Sequence, residues 1–173
     1  MKLTCLISVV LLNHPSKYRQ YFEFDELDHY SIRISHDKEI KLIERDSLSS
    51  EEIRLNDVLL QPERTKLADT TNLIGLEKIG FAKKKIHPSK FQAINSLFSE
   101  KQHNEILSAA CIPFYRDILI FRSKGKIVGT AKICFECNFH VIAGANMNTD
   151  DFGQSGDYER LYQLLYSGSK TVK

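Results

Sequence analysis

Asp117-Ile118-Leu119-Ile120-Phe121-Arg122-Ser123-Lys124-Gly125-Lys126-Ile127-Val128-Gly129-Thr130-Ala131-Lys132-Ile133-Cys134 reads as two antiparallel strands joined by a tight turn. Ile118 to Phe121 are apolar on both faces, the mark of a strand inside a sheet. Ser123-Lys124-Gly125-Lys126 supplies the turn, with Gly125 where a positive φ is tolerated. Ile127 to Phe135 is the return strand. Its odd positions Ile127, Gly129, Ala131, Ile133 and Phe135 share one face, and Val128, Thr130, Lys132 and Cys134 share the other. Phe139 to Ala143 adds a third strand, so an antiparallel meander is expected over about residues 117–143.

Outward from this meander the apolar period changes from two to that of a helix. Tyr158, Leu161, Leu164 and Leu165 form a stripe over residues 157–167, with Asp157 as the expected N-cap. Pro88-Ser89 opens a helix over 89–99 that carries Phe91, Ile94, Leu97 and Phe98. Each has a single apolar stripe, so the expected fold is α+β, with helices packed on one face of the sheet. Ser49-Ser50-Glu51-Glu52 is a capping-box start for a helix running to about Gln61, stopped by Pro62. Ser35 or Asp37 caps a shorter helix bearing Ile40 and Ile43. Tyr30 to Ile34 alternates as a strand. Leu76 to Ile86 is expected to be extended, and Lys83-Lys84-Lys85 protects it as a sheet edge. Residues 62–73 form the main surface loop, 18–24 an aromatic-rich extended entry, and 103–110 a short helix or turn.

The 173 residues fit one domain, expected over 26–167, with 1–25 ahead of it and 168–173 as a flexible tail. Leu3 to Leu12 is a ten-residue apolar run after Lys2. It is rich in Val and Ile and reads as a buried strand. A signal-like segment is the alternative, although no small-x-small cleavage pattern follows. No run approaches the roughly 20 apolar residues of a membrane-spanning helix. Composition is 42% hydrophobic and 27% charged, with a net charge of +2. A packed core is expected, and nothing steers the chain toward nucleic acid.

Cys134-Phe135-Glu136-Cys137 is the candidate for chemistry. With His140 it spells Cys-x2-Cys-x2-His, a spacing compatible with a tetrahedral zinc site to which Cys111 or His103 adds a fourth ligand. A thioredoxin-like use is disfavoured, because that motif opens a helix and this one ends a strand. A Cys111–Cys134 disulfide is open in an oxidising compartment. The plainer reading makes Cys134 a small core residue and Cys137 a strand-end residue, with no cofactor. Asn146, Asn148 and Asp150 take the first three alternate ligand positions of a twelve-residue calcium-type loop and Asp157 the last, but Asp151 stands where Gly is required, so a polar connection is favoured. There is no phosphate loop, zinc-protease helix or nucleophile elbow.

Cys111 to Phe121, Gly125 to Val128, Ala131-Lys132-Ile133-Cys134-Phe135-Glu136-Cys137-Asn138, and Asn148 to Gln154 with Gly156 to Leu161 together resemble an uncharacterised family of small bacterial proteins. The resemblance spans roughly residues 26–167 and is strongest beyond residue 108. It suggests that Cys111, Cys134 and Cys137 recur together, which adds weight to their sharing one site; it brings no activity, cofactor or partner.

These features lead to three expectations. The first is a non-catalytic domain that binds another protein, an immunity-type inhibitor of a bacterial toxin being one form. The second is a zinc-binding or thiol-redox protein using Cys134, Cys137, His140 and Cys111. The third is an enzyme with a cleft beside the loop 144–156. No membrane span is expected, and a cytoplasmic location is favoured over an exported one.

Overall fold

Lys124 and Gly125, the central pair of the hairpin turn, both take positive φ, 51° and 75°. That turn geometry matches the right-handed twist of the flanking strands. The computed structural model describes residues 18–45, 47–61, 67, 73–101 and 111–167. The run Leu3–Leu12, His103, most of the loop 62–73 and the tail 168–173 lie outside the described residues.

In chain order the elements are β1 (Glu26–Ser31), α1 (His36–Glu44), α2 (Ser50–Leu60), β2 (Ala82–Lys85), α3 (Phe91–Leu97), β3 (Asp117–Ser123), β4 (Lys126–Cys134), β5 (Phe139–Ala143) and α4 (Asp157–Tyr166). The five strands form one antiparallel sheet in the order β2-β1-β3-β4-β5. The meander is therefore present and β1 extends it, pairing Leu27 with Phe121 and Tyr30 with Ile118. β2 is an edge, as its lysines suggested. Lys83 reaches Asp28 and Lys85 reaches Glu26, while Lys84 turns to the other side and bonds the Leu165 carbonyl.

The fold is α+β, and both faces of the sheet are covered. On one face Leu27, Leu119, Phe121, Ala131 and Ile133 pack against α3 and α4, the two helices expected there. On the other, Tyr30, Ile118 and Ile120 pack against α1, α2 and a 3-10 turn at Leu76–Ile79. The second layer departs from the single covered face expected, and within it α1 points Leu42 inward, 0% exposed, instead of Ile40 and Ile43. Three apolar residues in four positions leave the inward face of such a short helix undetermined by period alone. Tyr21 and Phe22 also lie in the first core, so packed chain begins before residue 26.

α2 starts on the full capping box, Ser49 with Glu52. In β4 the register slips between Phe121 and Arg122, which pairs Gly129 with Phe121 and Ile127 with Arg122. Val128 is the extra residue of this bulge. Ile127 consequently packs with the second core, and strict alternation along β4 holds only from Gly129 onward.

Gly129 is glycine because Phe22 occupies its Cβ position. A Cβ there would stand 2.1 Å from Phe22 Cε1, and that ring is 3% exposed and held against Phe121 at 4.6 Å. We expect Gly129→Ala to lower stability by about 1–3 kcal/mol through overpacking. Urea denaturation checks this, and an unchanged midpoint would show that the ring can move aside.

Candidate functional site

Cys134 is the last residue of β4 and points toward the face of the sheet covered by α1 and α2. It is 1% exposed in a small cluster with Tyr115, Cys137 and Val141. The turn Phe135–Asn138 then reverses the chain, with Asn138 at φ 52°. Cys137 folds back under the turn and is disulfide-bonded to Cys111, with Cα atoms 5.9 Å apart. The partner of Cys111 is thus Cys137, where the sequence suggested Cys134. Strand geometry directs Cys134 into the core, and the turn aims Cys137 at the segment before β3. Cys134 stays a buried thiol, and burial pushes its pKa up, which keeps it protonated at neutral pH.

His140 lies elsewhere. It pairs with Ile133 across the β4–β5 ladder, whereas Cys134 pairs with Phe139. The pleat therefore sends His140 to the face opposite Cys134. There its Nε2–H donates to the Thr149 carbonyl at 3.0 Å, and its Nδ1 accepts from the Tyr158 hydroxyl at 2.8 Å. Cys111 and Cys137 are joined, while Cys134 and His140 are on different faces. Among the described residues no three His, Cys, Asp or Glu side chains converge as metal ligands would.

Both ring nitrogens of His140 are committed to the neutral imidazole, and burial lowers its pKa below the ordinary 6.5. When the pH falls through 6.5 the unfolded chain takes up this proton and the folded chain does not, so stability declines with acidification until the lower folded value is reached. We expect His140→Gln to flatten the stability–pH slope just below 6.5, measured by urea midpoints across that range. An unchanged slope would place the proton uptake on another group.

The loop 144–156 is a polar connection. The Asn148 side chain accepts the Asp150 N–H at 2.9 Å. Asp157 is the first residue of α4, after Gly156 as N-cap, and faces Lys101 and Arg160 with 0% exposure.

A cleft of about 440 Å³ lies where this loop meets the cysteine turn. Phe135 and Asn138 of the turn form one wall, and Tyr158, Glu159 and Tyr162 of α4 form another. The loop contributes Gly153, Gln154, Ser155 and Gly156. Phe135 meets the Tyr162 ring edge-on at 5.3 Å. His140 fixes Tyr158 through its hydroxyl, and Gly153 is required because a Cβ would stand 2.1 Å from the Tyr158 ring. Gln154 is 7% exposed, and its carboxamide oxygen has no hydrogen-bond partner. The sequence indicated a cleft beside this loop but did not single out Gln154, since one Gln in a polar loop carries no local signal.

Two further features escaped sequence reasoning. His29, 2% exposed, donates from Nε2 to Asp117 at 2.6 Å, and the Tyr166 hydroxyl donates to the same Asp117 oxygen. This chain of groups ties the end of α4 to β1 and β3. The other is a number of exposed isoleucines on α1 and α2 and on the segment beside α2. Ile40, Ile43, Ile53 and Ile74 are 39, 44, 51 and 67% exposed, and Ile53 also lines a shallow groove with Arg45, Leu48 and Asn56.

Among the described residues no helix is long and apolar enough to cross a membrane. No family model matches the chain, and no curated protein or solved structure matches it either.

Proposed function

We propose that the chain is a non-catalytic domain that binds another protein through the outer surface of its α1–α2 layer. The observation that carries this reading is the group of exposed isoleucines Ile40, Ile43, Ile53 and Ile74. Apolar side chains left in water and rimmed by charge are the composition of a contact surface. The rim here holds Lys41 paired with Glu52, and Arg54 bonded to the Ile74 carbonyl. An immunity-type inhibitor is the form of this reading in which the partner is a toxin. The Cys111–Cys137 crosslink supports an oxidising compartment in preference to the cytoplasm expected from the sequence.

A photo-crosslinking side chain placed at residue 43 or 53, and at the exposed hairpin tip residue 124 as control, tests the proposal in the source cell. One defined protein adduct is expected at 43 and 53 and not at 124, and Ile43→Asp should abolish the adduct formed from position 53 without changing the melting temperature. Equal labelling at all three positions would overturn it.

A further inference from the structure

We infer that Cys111, Cys134 and Cys137 form a thiol–disulfide exchange site, in which Cys134 displaces Cys111 from Cys137 and the released Cys111 takes a small-molecule disulfide. This site does not rest on the reading of the α1–α2 surface.

A free thiol is packed against a disulfide. Cys134 and Cys137 belong to one buried cluster, and Cys137 is bonded to Cys111. Only Phe135 and Glu136 separate Cys134 from Cys137, inside a chain reversal. A turn of this kind brings the Cα atoms of residues i and i+3 within about 7 Å, and a disulfide spans Cα separations up to about 6.8 Å. The Cys137 N–H also hydrogen-bonds the Cys134 sulfur, so that sulfur already lies against the residue it attacks. Cys137 thus has two partners within reach of one turn, Cys111 and Cys134.

Burial sets the direction of exchange. Cys111 is exposed, whereas Cys137 is 6% exposed. When Cys134 attacks Cys137, the departing sulfur is Cys111, and its thiolate leaves into water. Attack on Cys111 would instead strand the Cys137 thiolate in the cluster. The solvated thiol has the lower pKa and is the faster leaving group. In this step an electron pair of Cys134 forms the bond to Cys137, and the pair of the Cys111–Cys137 bond leaves with Cys111. The proton lost by Cys134 is regained by Cys111 from water, so no oxidant or reductant is consumed. The Cys111 thiolate then attacks a disulfide RSSR, giving Cys111–S–S–R and RS⁻. Low-molecular-weight disulfides are the class proposed, since they need no docking surface of their own.

Ionisation of Cys134 limits the rate. Burial raises its pKa, against the N–H groups of Cys137, Phe114 and Glu136, which favour the thiolate. Its S–H donates to the Glu136 carboxylate at 4.0 Å. Glu136, 69% exposed at its side chain and held by Arg116, connects that proton to solvent. Tyr115 and Tyr158 are the other titratable groups in its field, and burial keeps both neutral. The Lys132 ammonium lies over the Tyr115 ring at 4.7 Å. Exchange should therefore quicken as rising pH ionises Cys134.

The test uses the full chain, oxidised and native, at mildly alkaline pH. One sample receives N-ethylmaleimide and another receives oxidised glutathione; peptide mapping without reduction then assigns every thiol and disulfide. Maleimide or glutathione should appear on Cys111, together with a Cys134–Cys137 bond, at a rate rising about tenfold per pH unit. Cys134→Ala should abolish both reactions at Cys111. Cys5→Ser should leave them unchanged, which excludes Cys5 as the attacking thiol. A sample unfolded in urea serves as comparison: there Cys134 also pairs with Cys111, and in the native chain it should not. The native product decides the inference by itself, whatever the stability of the variants. Three results would overturn it: Cys111 unreactive in the native chain, a Cys111–Cys134 bond as the native product, or reaction at Cys111 that survives Cys134→Ala or is lost in Cys5→Ser.

Discussion

Asp157→Ala will destabilise the domain by about 3 kcal/mol. The Asp157 carboxylate is fully buried, with one oxygen on the Lys101 ammonium and the other on the Arg160 guanidinium. Arg160 is 55% exposed at its side chain, so water replaces that contact at little cost. Lys101 is different, at 17%. Removing its carboxylate leaves an ammonium largely out of water without an acceptor, and breaking a buried pair from one side typically costs about 3–5 kcal/mol. The lower end applies because Lys101 keeps some solvent contact. Asp157 also sits in the first turn of α4, where a negative charge is favoured by the helix dipole. Asp157→Asn keeps the shape and loses the charge, and it should lose most of the same stability. Lys101→Met combined with Asp157→Leu should recover to within about 1 kcal/mol of the parent, since an apolar pair leaves no charge stranded. Urea denaturation of the four proteins decides the matter. A cost below about 1 kcal/mol for Asp157→Ala would mean that the pair is effectively solvated.

The sequence showed local structure well where a single residue type forces it. Gly125 in a four-residue turn and the run Ile118–Phe121 predicted the β3–β4 hairpin, and Ser49 with Glu52 predicted the start of α2. Lys83-Lys84-Lys85 marks a sheet edge, and the alternation of the strand sends Lys84 away from its neighbours. What escaped depends on partners distant in the chain. β1 pairs with β3 across about ninety residues, from Glu26 opposite Arg122 to Ser31 opposite Asp117, and no local pattern encodes that neighbour. The second helical layer escaped for a related reason: whether Ile40 and Ile43 or Leu42 of α1 faces inward is decided by where the sheet lies. For the candidate site, the cysteines and the loop 144–156 stood out by spacing. The handedness of the turn at Asn138, which separates Cys137 from Cys134, did not, and neither did the pleat that turns His140 away from both.

Cutting the Cys111–Cys137 crosslink is the second large effect, expected to cost about 3 kcal/mol. The bond joins positions 26 residues apart, and the chain-entropy cost that such a loop imposes on the unfolded state is about 3–4 kcal/mol. The folded state already holds these residues close, with β3 paired to β4 along seven registered pairs; most of the effect must therefore come from the unfolded chain. That origin has a signature. Reduction, or Cys111→Ser with Cys137→Ser, should raise the urea m-value as well as lower the midpoint, because the released unfolded chain exposes more surface. A lost native contact would move the midpoint alone. Cys134→Ala provides the contrast. It removes a buried sulfur from the cluster of Tyr115, Cys137 and Val141 and closes no loop, so it should lower the midpoint with the m-value constant. In the folded state the released turn loses its anchor at Cys137 while Arg116 still holds it through Glu136. Amide exchange should accordingly quicken at residues 135–138 and remain slow at Ile133 and Ile142 in the sheet core. If reduction leaves both midpoint and m-value unchanged, the crosslink is not closed in the folded protein, and the turn is held by the ladder and by Arg116.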